Sequence, residues 1–169
     1  MKRYLSIVCI FAVGSGAVMA QSTGSGVASK NRDSSAAFIA TQNFIVGRLG
    51  RDCLTEIGRS ETPLEFQAKW QKDNVKYYGA ATKYMDARLA EIEDPEEREA
   101  VEGSYYASVQ KTAEAAIRRQ FSSGTKNDVC KYAMTLIDTG SMNIDEFAKS
   151  NKLPIMQDLD ELAAWSASK

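Results

Sequence analysis

The chain has 169 residues, 44% of them hydrophobic and 25% charged, with a formal net charge of −1. That is the length of one domain with a sizeable core, and the balance argues against a nucleic-acid-binding face, which would be basic. The chain has no histidine, which removes histidine general bases, Ser-His-Asp and Cys-His catalysis, and nearly all zinc and copper sites.

The first 20 residues, MKRYLSIVCIFAVGSGAVMA, have the form of a secretory signal peptide. Lys2 and Arg3 precede a short apolar run, and Val18 and Ala20 occupy the positions a signal peptidase reads. Gly14, Ser15 and Gly16 interrupt the run, so it is not a core helix. Cys9 follows Val8 rather than a small residue, so it is not read as a lipid-anchored cysteine. Cleavage after Ala20 removes Lys2 and Arg3 and takes the net charge from −1 to −3. No second long apolar run follows, so no membrane span is expected in the mature protein. No Asn-x-Ser/Thr acceptor occurs, which with the signal points to a bacterial periplasmic or extracellular protein.

Residues 21–34, QSTGSGVASKNRDS, lack apolar periodicity and read as a flexible leader. Residues 35–169 then form a single helical domain, because apolar residues recur at three and four throughout. The first helix is expected over 35–57, with Phe38, Ile45, Leu49 and Cys53 on one stripe. Gly47 and Gly50 within it imply close approach by a neighbouring helix, and Gly58 stops it. Thr62-Pro63-Leu64-Glu65 is a capping box with proline at the first helical position. It opens a second helix running to Glu93, with a kink at Asp73-Asn74 and a seam of Tyr78, Ala81, Met85, Leu89 and Ile92. Asp94-Pro95-Glu96-Glu97 repeats the device for a third helix to residue 122, buried along Val101, Tyr105, Val109, Ala113 and Ile117. A fourth begins after Thr125 and stops at Gly140; short segments carrying Ile144 and Phe147, then Leu159, Leu162 and Trp165, finish the chain.

Short connections between long helices predict an all-α, antiparallel up-down bundle of four main helices plus short C-terminal helices. That order tests the cysteines. Cys53 lies near the end of the first helix and Cys130 near the start of the fourth, and the up-down path brings those ends together. Export leaves Cys53 and Cys130 as an even pair in an oxidising compartment. A disulfide joining helices 1 and 4 is therefore expected; the spacing does not suit a redox pair of the C-x-x-C kind.

Two charged clusters are candidate sites. The turn between helices 2 and 3 gathers Glu91, Glu93, Asp94, Glu96, Glu97, Glu99 and Glu102. This is an acidic docking tip or a solvated bundle end whose acids suit the third helix's N-terminal dipole. At the disulfide end the same topology collects Arg48, Arg51, Phe66, Lys69, Trp70, Arg118, Arg119 and Phe121 as a ligand or partner cluster. There Trp70 is expected level with Arg118, in range for a cation–π contact. Tyr84 and Tyr105 should share a level. DTGSMNIDEF glances at a calcium loop but puts Ile137 at the first ligand and Met142 where glycine is needed, so it reads as a helix stop and a turn.

No cofactor, metal or catalytic motif is present. The expected function is a protein-binding accessory or inhibitor (immunity-type) protein, with a protein partner in the cell envelope and no nucleic acid. The alternative is a histidine-free small-molecule enzyme with a cationic pocket. Helical chorismate mutases show that such an architecture can stabilise a dicarboxylate transition state, although no motif of theirs is present here. A ligand carrier is a third reading, which the alanine-rich third helix disfavours.

Overall fold

The computed structural model describes residues 27–169. The expected signal peptide over 1–20, and residues 21–26 of the expected leader, lie outside the described residues. The described chain is all-helical: α1 (Lys30–Cys53), a 3₁₀ turn (Thr55–Ile57), α2 (Pro63–Asp73), α3 (Val75–Ala90), α4 (Pro95–Phe121), α5 (Lys126–Asp138), α6 (Ile144–Ser150) and α7 (Met156–Ala167).

Local chemistry sets most of the ends. Thr62 Oγ1 accepts from the Glu65 amide at 3.2 Å while the Glu65 carboxylate accepts from the Thr62 amide at 2.8 Å, closing the capping box of α2. Asp94 caps α4 by accepting from the amides of Glu96 and Glu97 at 2.8 and 3.1 Å. Thr125 caps α5 through the Asp128 amide at 3.2 Å. Gly58 and Gly140 end their helical segments at φ of 74° and 75°, a region that costs an L side chain about 1–2 kcal/mol.

The starts of α1 and α3 lack a side-chain cap of their own. α1 starts at Lys30, ahead of the expected residue 35, although Ser29 makes no side-chain cap bond. Its first turn is held by the Ser29 amide donating to Tyr84 Oη at 3.3 Å and by Arg32 donating to the Val27 carbonyl at 2.9 Å. The expected second helix is broken at Asn74 into α2 and α3.

α1 is the centre of the molecule. It packs against α2, α3, α4, α5 and α7, whereas α4 makes little contact with its chain neighbours α3 and α5 and lies mainly on α1. The buried residues follow this division: α1 buries residues on several faces, from Ala36 and Ile39 to Val46 and Leu49, while α4 buries only Tyr105, Val109, Ala113 and Ile117. α3 is flanked by α1 and α7. Lys76 meets Asp160 at 2.8 Å and Lys83 meets the Ser166 carbonyl at 2.9 Å, so α3 and α7 run side by side in the same direction. This second neighbour turns the buried stripe of α3 to Tyr77, Ala80, Ala81 and Tyr84, one position away from the expected seam.

Cys53 and Cys130 form a disulfide with their Cα atoms 5.1 Å apart, joining the end of α1 to the first turns of α5 as expected. Both residues are fully buried.

Ser35 and Gln42 are core positions at odds with their surroundings, each burying a polar group without a partner among the described residues. Gln42 is 1% exposed, and neither its amide nitrogen nor its oxygen has a hydrogen-bond partner among the described residues. Burying an unsatisfied polar group costs about 1–3 kcal/mol. Gln42→Met keeps the length of the side chain and removes that cost, so it should raise the unfolding free energy by about 1–2 kcal/mol, read as a higher urea midpoint. A lower midpoint would mean that the amide is hydrogen-bonded in solution.

Candidate functional site

The glycines of α1 let α2 lie against it. A Cβ at Gly47 would fall 2.8 Å from the Gln67 amide group, and one at Gly50 would fall 3.1 Å from the Phe66 ring. Gln67 Nε2 donates to both the carbonyl and the side-chain oxygen of Asn43, each at 3.0 Å, and Gln71 Nε2 donates to the same side-chain oxygen at 2.9 Å. This clasp fixes α2 on α1 and leaves a shallow groove of about 290 Å³ beside it, lined by Phe44, Gly47, Arg48 and Arg51 of α1 and by Pro63, Leu64 and Gln67 of α2. Positions 44, 47, 48 and 51 recur at three and four, so they form one stripe of α1.

Leu64 is 76% exposed at this groove. Arg48 donates from Nε to Asp52 Oδ2 at 2.7 Å, and that bond, aided by the charge of Asp52, holds its pKa above the ordinary arginine value. Glu114 of α4, the helix that packs along α1, adds to the same effect. Arg51 is exposed. Arg118, with a side chain 72% exposed, reaches Glu114 at 3.9 Å.

The other members of the expected basic cluster are divided by α2. Phe66, Lys69 and Trp70 line a separate cleft of about 270 Å³ against the C-terminal end of α5. Trp70 is 2% exposed and donates from Nε1 to the Met142 carbonyl at 3.0 Å. The expected Arg118–Trp70 contact does not form, because the tryptophan is buried towards α6 while the arginine stays in solvent beside Glu114. At this end of the molecule a guanidinium lies over Phe66 instead, with Arg59 5.4 Å from the ring centroid. Arg119 is exposed, and Phe121 is half-buried against the core. Arg48, Lys69, Arg118 and Arg119 therefore do not surround one concave pocket.

The acidic tip is largely committed to local structure. Asp94 is the cap of α4, Glu96 and Glu97 lie in its first turn, and Glu91 pairs with Arg88 at 3.0 Å. Glu93 and Glu99 are exposed and Glu102 is half-buried. Among the described residues no group of three or more histidines, cysteines or carboxylates is placed to hold a metal ion. The DTGSMNIDEF segment is a helix stop at Gly140 followed by α6.

A polar cluster that the sequence did not point to lies at the start of α1. Tyr84 Oη donates to Asp33 Oδ1 at 2.7 Å, and Arg88 Nε lies 3.8 Å from the same oxygen. Arg32 sits 6.0 Å from the Tyr84 ring centroid and 5.8 Å from that of Trp165, and donates to Glu161 at 3.3 Å. Burial, and then the bond to Asp33, push Tyr84 up to about 12. Burial also raises Tyr105, with the charges of Tyr106, Asp33 and Tyr84 adding to it. The cluster joins α1, α3 and α7 and holds the chain entry in place. Asp33 and Arg32 belonged to a stretch with leader composition, so nothing local marked them.

No protein-family model, curated protein or solved structure matches the chain.

Proposed function

We propose that the protein is an exported protein-binding factor, an accessory or inhibitor (immunity-type) protein of the bacterial cell envelope, and that it docks its partner on the α1/α2 groove. The observation that carries this reading is Leu64, 76% exposed at a groove bordered by Arg48 and Arg51. Arginine is enriched at protein interfaces, and an exposed apolar side chain beside two of them offers a partner an apolar contact with a charged border. The charge selects the partner: an acidic segment that places one apolar side chain against Leu64 and Phe44 while its carboxylates meet the arginine forks. The disulfide, and the absence among the described residues of any helix long and apolar enough to cross a membrane, are compatible with a periplasmic or extracellular setting. The enzyme reading required Arg48, Lys69, Arg118 and Arg119 to converge; Arg48 and Lys69 line different clefts and Arg118 and Arg119 are exposed, which does not favour it.

The test is a cross-linked pull-down from native periplasm with the mature chain, run beside Leu64→Asp and Arg51→Glu variants. Both residues are exposed, so both variants should fold, with circular dichroism and urea midpoints as controls. One stoichiometric protein partner is expected, its capture reduced at least about tenfold by each variant and weakened by salt. Capture that ignores both variants would remove this groove as the docking face. A co-purifying metabolite with no protein partner would overturn the reading.

A further inference from the structure

The apolar contact at Leu64 does not end with the groove. Val75, at the start of α3, is 67% exposed, second only to Leu64 among the large apolar side chains of the described residues. The two are separated by about three turns of helix, or 16 Å. The break at Asn74 does not turn one away from the other. Phe66, Trp70, Asn74, Tyr77, Ala81 and Tyr84 are all buried and recur at three and four straight through it, so the flanks of the run keep their direction too. One flank reads Leu64, Ala68, Gln71, Val75 and Tyr78, spaced four, three, four and three, the heptad spacing of a seam that receives another helix. Leu64, Ala68 and Val75 are exposed; Gln71 and Tyr78 are half-buried.

α1 runs beside this stripe. Gln71 reaches Asn43 at 2.9 Å, a Cβ at Gly50 would fall 3.5 Å from Pro63, and the Ser29 amide donates to Tyr84. These contacts fix one antiparallel level, and it puts Val75 within about half a turn of Ala40 and Tyr78 within about half a turn of Ala37. Ala37, Ala40, Phe44 and Gly47 are half-buried and recur at three and four. Three of them are small, which gives a third helix room to settle between the two walls. The groove at Phe44 and Leu64 thus continues towards Ala40 and Val75.

Its charge is positive. The groove lining carries Arg48 and Arg51 and no carboxylate, and Lys72 is exposed one turn beyond Ala68. The nearby acids are committed elsewhere: Asp52 to Arg48, Glu65 to the cap of α2, and Asp73 to the cleft on the other side of α2.

We infer that the docked segment of the partner is an acidic amphipathic α-helix lying along the α2–α3 stripe, with one apolar anchor at Leu64 and Phe44 and another at Val75 and Ala40. Such a helix carries apolar residues at i, i+4, i+7 and i+11, and carboxylates beside them that meet Arg48, Arg51 and Lys72. This assignment rests on the groove being the docking face and adds the form and length of what docks there.

The test is a methyl NMR titration of the oxidised protein, read at Leu64 and Val75, with three end-blocked peptides about five turns of helix long. The first carries leucine at i, i+4, i+7, i+11 and i+14, with glutamate and alanine elsewhere. The second has the same composition with leucine at every second position, and the third replaces each glutamate of the first by lysine. The first peptide is expected to shift both methyl sites saturably, with a dissociation constant below about 1 mM, and to gain helical circular dichroism on binding. The second and third should bind at least about tenfold more weakly. Val75→Asp changes an exposed side chain, so it should keep the parent urea midpoint and lose at least about tenfold in affinity for the first peptide. Equal binding of the first and second peptides, or an unchanged affinity in Val75→Asp, overturns the helix while leaving Leu64 and its arginines as the docking face. Equal binding of the third overturns the acidic partner. If the first two peptides both leave the Leu64 methyls unmoved, the groove falls as the docking face and the helix falls with it.

Discussion

Replacing Cys53 and Cys130 together by alanine is expected to lower the unfolding free energy by about 4 kcal/mol. The bond closes a loop spanning 77 positions, which contains α2, α3 and α4, and in the chain-entropy account most of its effect is the freedom that the unfolded chain regains. A domain of this size has a total stability of only about 5–15 kcal/mol, so the loss is a large share of it. Guanidinium titration of the oxidised protein and of the double variant measures the difference directly. A second readout separates the staple from a redox switch. Both cysteines are fully buried, so a reductant reaches them only through opening of the core. Thiols should therefore appear at the rate of unfolding, not at the rate at which an exposed disulfide exchanges. Reduction that is fast under native conditions, or a stability change below about 1 kcal/mol, would contradict the structural role.

The features legible in the sequence are those whose cause is local, or whose spatial partner is fixed by compartment and parity. Thr62-Pro63 and Asp94-Pro95 announce helix starts because the capping oxygen, the proline and the first-turn acids all lie within four residues. Gly47 and Gly50 announce a close neighbour, and α2 is that neighbour. The disulfide follows from two surviving cysteines at matching depths.

What was hidden depends on rotation about a helix axis and on contacts far apart in sequence. Each residue turns a helix by about 100°, so a seam called one position off points to a different neighbour. That is the difference between the expected stripe through Tyr78 and the observed one through Tyr77, set by α7, which packs beside α3 from some 80 residues away. The same rotation divides the basic, aromatic end. Arg48 and Arg51 share an end of the molecule with Lys69 and Trp70, but α2 stands between the two pairs and makes two clefts of unlike chemistry. The alanines of α4 suggest close packing without saying on which helix; only Ala113 among them is buried, and α4 packs mainly on α1 rather than on a chain neighbour.

Asn74→Ala is expected to cost about 3 kcal/mol, far more than an exposed helix-break residue would. Asn74 is 3% exposed, at the break between α2 and α3. Its Nδ2 donates to the Trp70 carbonyl at 2.8 Å and to Asn143 Oδ1 at 3.1 Å, and its Oδ1 accepts from the Ile144 amide at 2.7 Å. The last bond does the work expected of a cap: Asn143 stands at the capping position of α6 but makes no side-chain cap bond, so Asn74 satisfies the first amide of that helix from across the core. Ile144 is fully buried, so its amide has no route to water once the acceptor is gone, and an orphaned buried donor alone costs about 1–3 kcal/mol. Two comparisons isolate the cause. Asn143→Ala removes a single bond from Asn74 and should cost about 1 kcal/mol. Asn74→Asp retains the acceptor for Ile144 but faces the Trp70 carbonyl and Asn143 Oδ1 with no donor, so it should also destabilise while keeping the Ile144 amide protected from hydrogen exchange. In Asn74→Ala that amide should lose protection before those of α5 and α7. Because Trp70 and Asn143 both line the cleft, the same variant should broaden the Trp70 indole resonance. An Asn74→Ala protein with an unchanged urea midpoint and a still-protected Ile144 amide would show that the two walls are held together by packing alone.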